Sequence, residues 1–132
     1  MRVLSLLEPW ASLINEKVKF IETRSWKTNY RGELYIHASK NELTKKNIEH
    51  YNKQMSYLKS TDFKYGYIIC KCNLVDCIYM TNDFINKIKK NDKEYASGNY
   101  EVGRYAWILD NIQTLEEPIP AKGSLEIWNY EC

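Results

Sequence analysis

Residues 67–79 read YIICKCNLVDCIY, the longest β-like run in the chain, rich in branched and aromatic side chains. The run predicts a long central strand, or a strand with a bend. Upstream of it, Ile48, Tyr51, Met55 and Leu58 recur at helical spacing beside a lysine-rich face, which predicts a helix. Earlier still, Glu33–Ala38 reads as a strand after the turn residues Asn29-Tyr30-Arg31-Gly32, and Lys19–Trp26 is extended. Pro9 suits the first turn of a short helix carrying Trp10, Leu13 and Ile14, and Arg2–Leu6 reads as a strand. Downstream, Thr81 or Asn82 caps a short helix with Phe84, Ile85 and Ile88. Residues Asn91–Gly103 are polar and read as a mobile loop, Tyr105–Leu109 as a strand, Pro118 and Pro120 as a connection, and Ser124–Asn129 as a last strand. Strands outnumber helices without a regular βαβ alternation. The expected fold is α+β, a small mixed β-barrel with short helices packed outside.

The 132 residues suit a single domain, residues 1–132, and no repeat or linker divides them. A hydrophobic content of 44% fills a modest core and argues against disorder. Nineteen basic and seventeen acidic residues leave a net charge of +2, which excludes a wholly basic nucleic-acid coat but not a local basic cleft. Eleven tyrosines and four tryptophans exceed what a small core needs, so some rings are expected at the surface or in a pocket. The apolar stretch at the N-terminus is cut at Glu8 and Pro9 before signal-peptide length, and no run approaches the ~20 residues that span a bilayer. Cys70, Cys72, Cys77 and Cys132 have neither disulfide-like nor common zinc-like spacing. They read as free thiols, with no metal or cofactor expected, and with a cytosolic location.

Two segments concentrate the chemistry. In Lys19-Phe20-Ile21-Glu22-Thr23-Arg24-Ser25-Trp26, strand alternation puts Glu22, Arg24 and Trp26 on one side. A forked donor, an acceptor and an indole there suit a polar, flat ligand. A plain ion pair between Glu22 and Arg24 is the structural alternative. Lys19 becomes a nucleophile or general base if burial and Arg24 lower its pKa. In Ile36-His37-Ala38-Ser39-Lys40, His37 and Ser39 sit at a strand end, where the imidazole can act as a base or bond a nucleotide edge. Ser5 is a further hydroxyl that needs a neighbouring base to matter. His50 reads as a surface residue. The pair Lys45-Lys46 and the run Lys87–Lys90 with Lys93 read as solvated helix faces or phosphate contacts.

LSLLEPWASLI, KFIETRSW, YRGELYIHASK and GRYAWIL, in that order between Leu4 and about Trp128, resemble the ASCH domain, a PUA-like β-barrel family. The resemblance implies a cleft between the first helix, the K-x-x-E-x-R strand and nearby loops, binding RNA, a nucleotide or a modified nucleoside. It carries Lys19, Glu22 and Arg24 into that cleft, with Trp10 or Trp26 supplying a ring. The family usually has Gln where this chain has Glu8; a carboxylate only accepts, so a donor-rich ligand edge is expected there. Arg104, after Gly103 at a loop–strand junction, is expected at the cleft mouth or on a phosphate, and Trp107 in the barrel wall.

Some short bacterial relatives are amidohydrolases acting on N4-acetylcytidine, and another is reported as a ribonuclease. The resemblance therefore also implies a hydrolase with Lys19 and Glu22 as catalytic residues and Glu94 or Glu101 as a loop acid. Those amidohydrolases have a hydroxyl residue where this chain has Glu22, which cannot act as an alcohol nucleophile. A protein-interaction module using the lysine-bearing helix from Lys45 to Lys59 is the third reading.

Overall fold

In the computed structural model, which describes residues 1–131, Tyr67–Tyr79 is one continuous strand, β4. Cys132 lies outside the described residues. Before β4 come β1 (Arg2–Leu6), α1 (Trp10–Asn15), β2 (Ile21–Arg24), β3 (Gly32–Ala38), α2 (Lys45–His50) and α3 (Asn52–Met55). After it come α4 (Asn82–Ile88), α5 (Asp92–Ala96), β5 (Tyr105–Pro120) and β6 (Ile127–Asn129).

The strands form one curled mixed sheet in the order β2-β5-β4-β3-β1-β6, in which only β1 and β3 run parallel. Irregular register at three points in the β4–β5 pairing lets these long strands bend and wrap. The sheet's two ends come close enough for Trp26, just after β2, and Ile127 of β6 to line one hollow. This is the small α+β barrel-like fold expected from the sequence, with five short helices, of which α1 buries Ala11 and Ile14 in the main core.

Strand alternation explains the main core. Cys70, Cys72 and Leu74 of β4 face inward, against Leu34 and Ile36 of β3, Leu4 and Leu6 of β1, and Ala11 and Ile14 of α1, and Ile69 joins them where the β4–β5 register shifts. Past the bends, Met80 joins Ile21, Ile85 and Ala106 in a second, smaller cluster under α4. Cys70 and Cys72 are free and buried; burial pushes both thiols up, Cys72 to about 12, so they are inert packing groups. Among the described residues, no helix is long and apolar enough to cross a membrane.

Several elements differ from the sequence expectation. The stripe Ile48–Leu58 forms two short helices with no buried residue, split where Tyr51 leaves helical geometry, and Ile48 is exposed. Residues 91–103 are not simply a loop: Asn91 accepts a hydrogen bond from the Glu94 amide and starts α5, which buries Glu94. β5 runs on through Pro118 and Pro120. Only its first residues pair with β2, so its later half is a sheet edge where a missing N–H is tolerated. The last strand is shorter than expected, starting at Ile127.

Glu8 is the clearest correction. Its side chain is buried, and both carboxylate oxygens are occupied by Ser12: Oε1 accepts the Ser12 amide at 2.8 Å and Oε2 accepts the Ser12 hydroxyl at 2.7 Å. It satisfies the open start of α1 rather than facing a ligand. A glutamine can make the same contacts if the serine hydroxyl reverses.

Burial pushes the Glu8 carboxyl above its ordinary value, against the opposing Ser12 bonds. The folded protein thus holds this proton to higher pH than the unfolded chain. Stability from Glu8 is fully present below the unfolded pKa and lost as pH rises through the folded one. Glu8→Gln is expected to flatten this limb of the stability–pH curve, and Glu8→Ala to cost about 1–2 kcal/mol. Chemical denaturation from acid to neutral pH reads both; an unaltered slope in Glu8→Gln contradicts the assignment.

Candidate functional site

Lys19 lies just before β2 and is 1% exposed. A lone ammonium there would be costly, but this one is fully engaged. Its Nζ donates to the Ile21 and Ser97 carbonyls, each at 2.6 Å, and stands 3.7 Å from Glu22 Oε1. The other Glu22 oxygen accepts from Arg24 Nε at 3.0 Å. One carboxylate therefore bridges an ammonium and a guanidinium along β2. Burial pushes the Lys19 pKa down, while Glu22 and Glu94 oppose that fall.

Of the two loop acids expected near the lysine, Glu94 is the one brought there, and Glu101 is exposed. Glu94 Oε1 accepts the Phe20 amide at 2.7 Å, whereas Oε2 has no hydrogen-bond partner among the described residues. Burial raises the Glu94 pKa, opposed by the Phe20 amide and by Lys19.

Of these groups, Lys19 and Glu22 edge a cleft of about 530 Å³. One wall is β2 with Lys19, Glu22 and Thr23; another is the turn after α5, Ser97-Gly98-Asn99. The third is aromatic: Trp10 of α1 packs edge-on to Tyr51 at 5.0 Å, with His50 beside it. Trp10 also lies 6.0 Å from Lys19 Nζ. The α5 turn is pinned to β2 by the Asn99 amide donating to Thr23 Oγ1 at 3.0 Å, and to α3 by Gln54 Nε2 donating to the Ala96 carbonyl at 2.8 Å. Gly98 permits this approach, since a Cβ there would fall 2.8 Å from the Tyr100 ring. Arg104 closes the mouth, held by the Asn99 carbonyl at 3.1 Å and the Thr23 carbonyl at 3.4 Å.

The remaining sequence-predicted residues do not share this cleft. Arg24, Ser5, His37 and Ser39 line a neighbouring one of about 410 Å³, bounded by residues 122–126. Its floor is tightly bonded. His37 Nε2 faces the Ala121 carbonyl at 2.8 Å, so that nitrogen carries the proton and Nδ1 accepts from the Ser5 hydroxyl at 2.9 Å. Ser5 Oγ in turn accepts from Trp128 Nε1 at 3.0 Å. A Cβ at Gly123 would come within 2.7 Å of the His37 ring, so the loop sits directly on this pair. Trp26 lines a third hollow, with Arg24 over its ring at 5.1 Å. Trp107 is fully buried and donates its indole N–H to the Trp26 carbonyl at 3.3 Å. The residues expected in one hollow are thus divided among three, with the touching Glu22 and Arg24 side chains between the first two.

Sequence reasoning missed Tyr51, Gln54, Ser97, Gly98 and Asn99, which reach the site only through tertiary packing, and placed His50 at the surface without its place on the cleft rim. A usable signal existed for the α5 turn: Asn91 followed three residues later by Glu94 is a helix-start pattern.

Removing the Lys19 ammonium leaves Glu22 and two buried carbonyls without it. Lys19→Ala is therefore expected to cost about 3–5 kcal/mol of stability, read by urea unfolding. A variant as stable as the parent contradicts the clip described here.

The ASCH domain model matches residues 4–119 of this chain. The chain is also similar to activating signal cointegrator 1 of Mus musculus and of Homo sapiens, 26% identical to each over 134 residues. The alignment covers 97% of this chain and 22% of each relative, so the chain spans about a fifth of their length.

Proposed function

From the chain's membership of the ASCH domain family, with residues 4–119 matched, we propose that it binds RNA or a nucleotide-like ligand in the Trp10–Lys19–Arg104 cleft. The observation that carries the reading is the make-up of that cleft. Rings of Trp10 and Tyr51 stand on one side, and a carboxylate, backbone groups and a guanidinium on the other. A base has a flat face that stacks on an indole and a polar edge that needs hydrogen-bond partners. Arg104, tethered to two carbonyls at the mouth, presents positive charge where a phosphate enters. The volume lies within the range of small-ligand pockets.

Lys19 serves this reading as a fixed support. Its donation to two carbonyls and its approach to Glu22 hold the α5 turn against β2 and so keep the cleft open. The hydrolase alternative has one observation of its own, the presence of Glu94 beside the Lys19–Glu22 group. It requires a neutral amine with a free lone pair; burial lowers the Lys19 pKa toward that form, against Glu22 and Glu94, while the Ile21 and Ser97 carbonyls at 2.6 Å engage two of the ammonium's N–H groups.

Fluorescence anisotropy with labelled single-stranded RNA tests the proposal. Trp10→Ala is expected to weaken binding by about tenfold or more, and Arg104→Ala to weaken it while reducing the salt dependence by about one ion. Charge reversal at Lys45 and Lys46, exposed on α2, is expected to have little effect. Loss of RNA binding only on charge reversal would put the RNA on the α2 lysines and overturn the cleft; the interaction-module reading predicts silent cleft variants and partner capture abolished by that charge reversal. Mass spectrometry of N4-acetylcytidine and RNA incubated with the wild-type protein tests the hydrolase alternative, which predicts deacetylated or cleaved product.

A further inference from the structure

We propose that the second cleft is a phosphate subsite, so that the ligand is a strand of at least two nucleotides running across the Glu22–Arg24 wall. This rests on the reading that the first cleft takes a base.

Arg24 carries the argument. Its Nε is committed to Glu22 at 3.0 Å, and its guanidinium lies over Trp26 at 5.1 Å and Trp107 at 5.7 Å. Held from one edge and stacked on two rings, the group has little freedom left to lose on binding. Its Nη2 makes only a long 3.5 Å contact with the Ser5 carbonyl. The outer, forked side is thus available, and Arg24 lines the second cleft. That geometry suits an oxyanion met by two parallel N–H groups.

The rest of the cleft sets donors among Leu6, Leu7 and Leu125. Lys122 is exposed and makes no ion pair among the described residues, and Ser39, Asn41 and Ser124 add hydroxyl and amide groups. Glu126, at the boundary with the Trp26 hollow, is the one acid on this wall. Ser5 and His37 are already spent on Trp128 and Ala121, so they shape the floor rather than contact the ligand. Glu22 lines the first cleft and touches Arg24, which lines the second. A base in one and a phosphate in the other therefore fall on neighbouring positions of one strand.

Binding of cytidine, adenosine, inorganic phosphate and a single-stranded RNA tetranucleotide is compared by calorimetry for the wild type, Arg24→Gln and Lys122→Ala. The tetranucleotide is expected to bind the wild type at least tenfold more tightly than either nucleoside. Lys122→Ala is expected to weaken the tetranucleotide severalfold with nucleoside affinity unchanged, and Arg24→Gln to weaken the tetranucleotide by a larger factor than it weakens either nucleoside. Lys122 is exposed, so its variant keeps the test valid if Arg24→Gln does not fold. Two outcomes overturn the phosphate subsite while sparing the base-binding reading: a tetranucleotide bound no better than a nucleoside, or equal losses for both ligands in the variants. Inorganic phosphate bound as tightly as the strand leaves the base no contribution and overturns a strand that spans both clefts. Wild-type protein that binds none of the ligands overturns both.

Discussion

A carboxylate shared between two cations organises this molecule. Lys19 is buried almost completely, and the interior accepts its charge only because the Ile21 and Ser97 carbonyls and Glu22 surround it. Those partners come from a strand and from the turn after α5, far apart in sequence. Satisfying one ammonium therefore pins the turn to the strand, and the gap left between the turn, β2 and the Trp10–Tyr51 rings is the cleft. On its other oxygen, Glu22 fixes Arg24 and so shapes the neighbouring cleft. The ion group is a framework first, and its effect on a ligand comes through what it positions.

The division of labour among side chains follows from this. Lys19 and Glu94 are buried, with their polar groups largely turned to backbone. Trp10 and Arg104 remain partly exposed at the cleft and keep surface for another molecule. Glu8, equally buried, belongs to the start of α1 and takes no part in the cleft. The likeness to the activating signal cointegrator 1 proteins covers 22% of their length, so it bears on this domain alone.

Much of the architecture was legible because it depends on short-range pattern. The alternation in Tyr67–Tyr79 and Glu33–Ala38 gives strands directly, and Glu22 and Arg24 share a face because strands have a period of two. Lys19 lies outside β2, so alternation could not say that it folds back beneath the strand. The α2–α3 segment has an apolar stripe that predicted a helix, yet it forms two short helices with no fully buried residue, and Tyr51 and Gln54 meet the cleft. Residues 91–103 misled by composition: polar side chains suggested a loop, while Glu94 and Ser97 are drawn inside by Phe20 and Lys19. The separation of Arg24, His37 and Ser39 from Lys19 into another cleft depends on side-chain direction around a curled sheet, which no linear pattern records.

The most direct measurement is amide and indole chemical-shift mapping by NMR as single-stranded RNA is added to the labelled protein. The account predicts that the largest changes fall on the Trp10 indole and on the amides of Ser97, Gly98 and Asn99, around the cleft that the Lys19 clip holds open. Changes confined to the lysine-bearing face of α2, or none at saturating RNA, would contradict it.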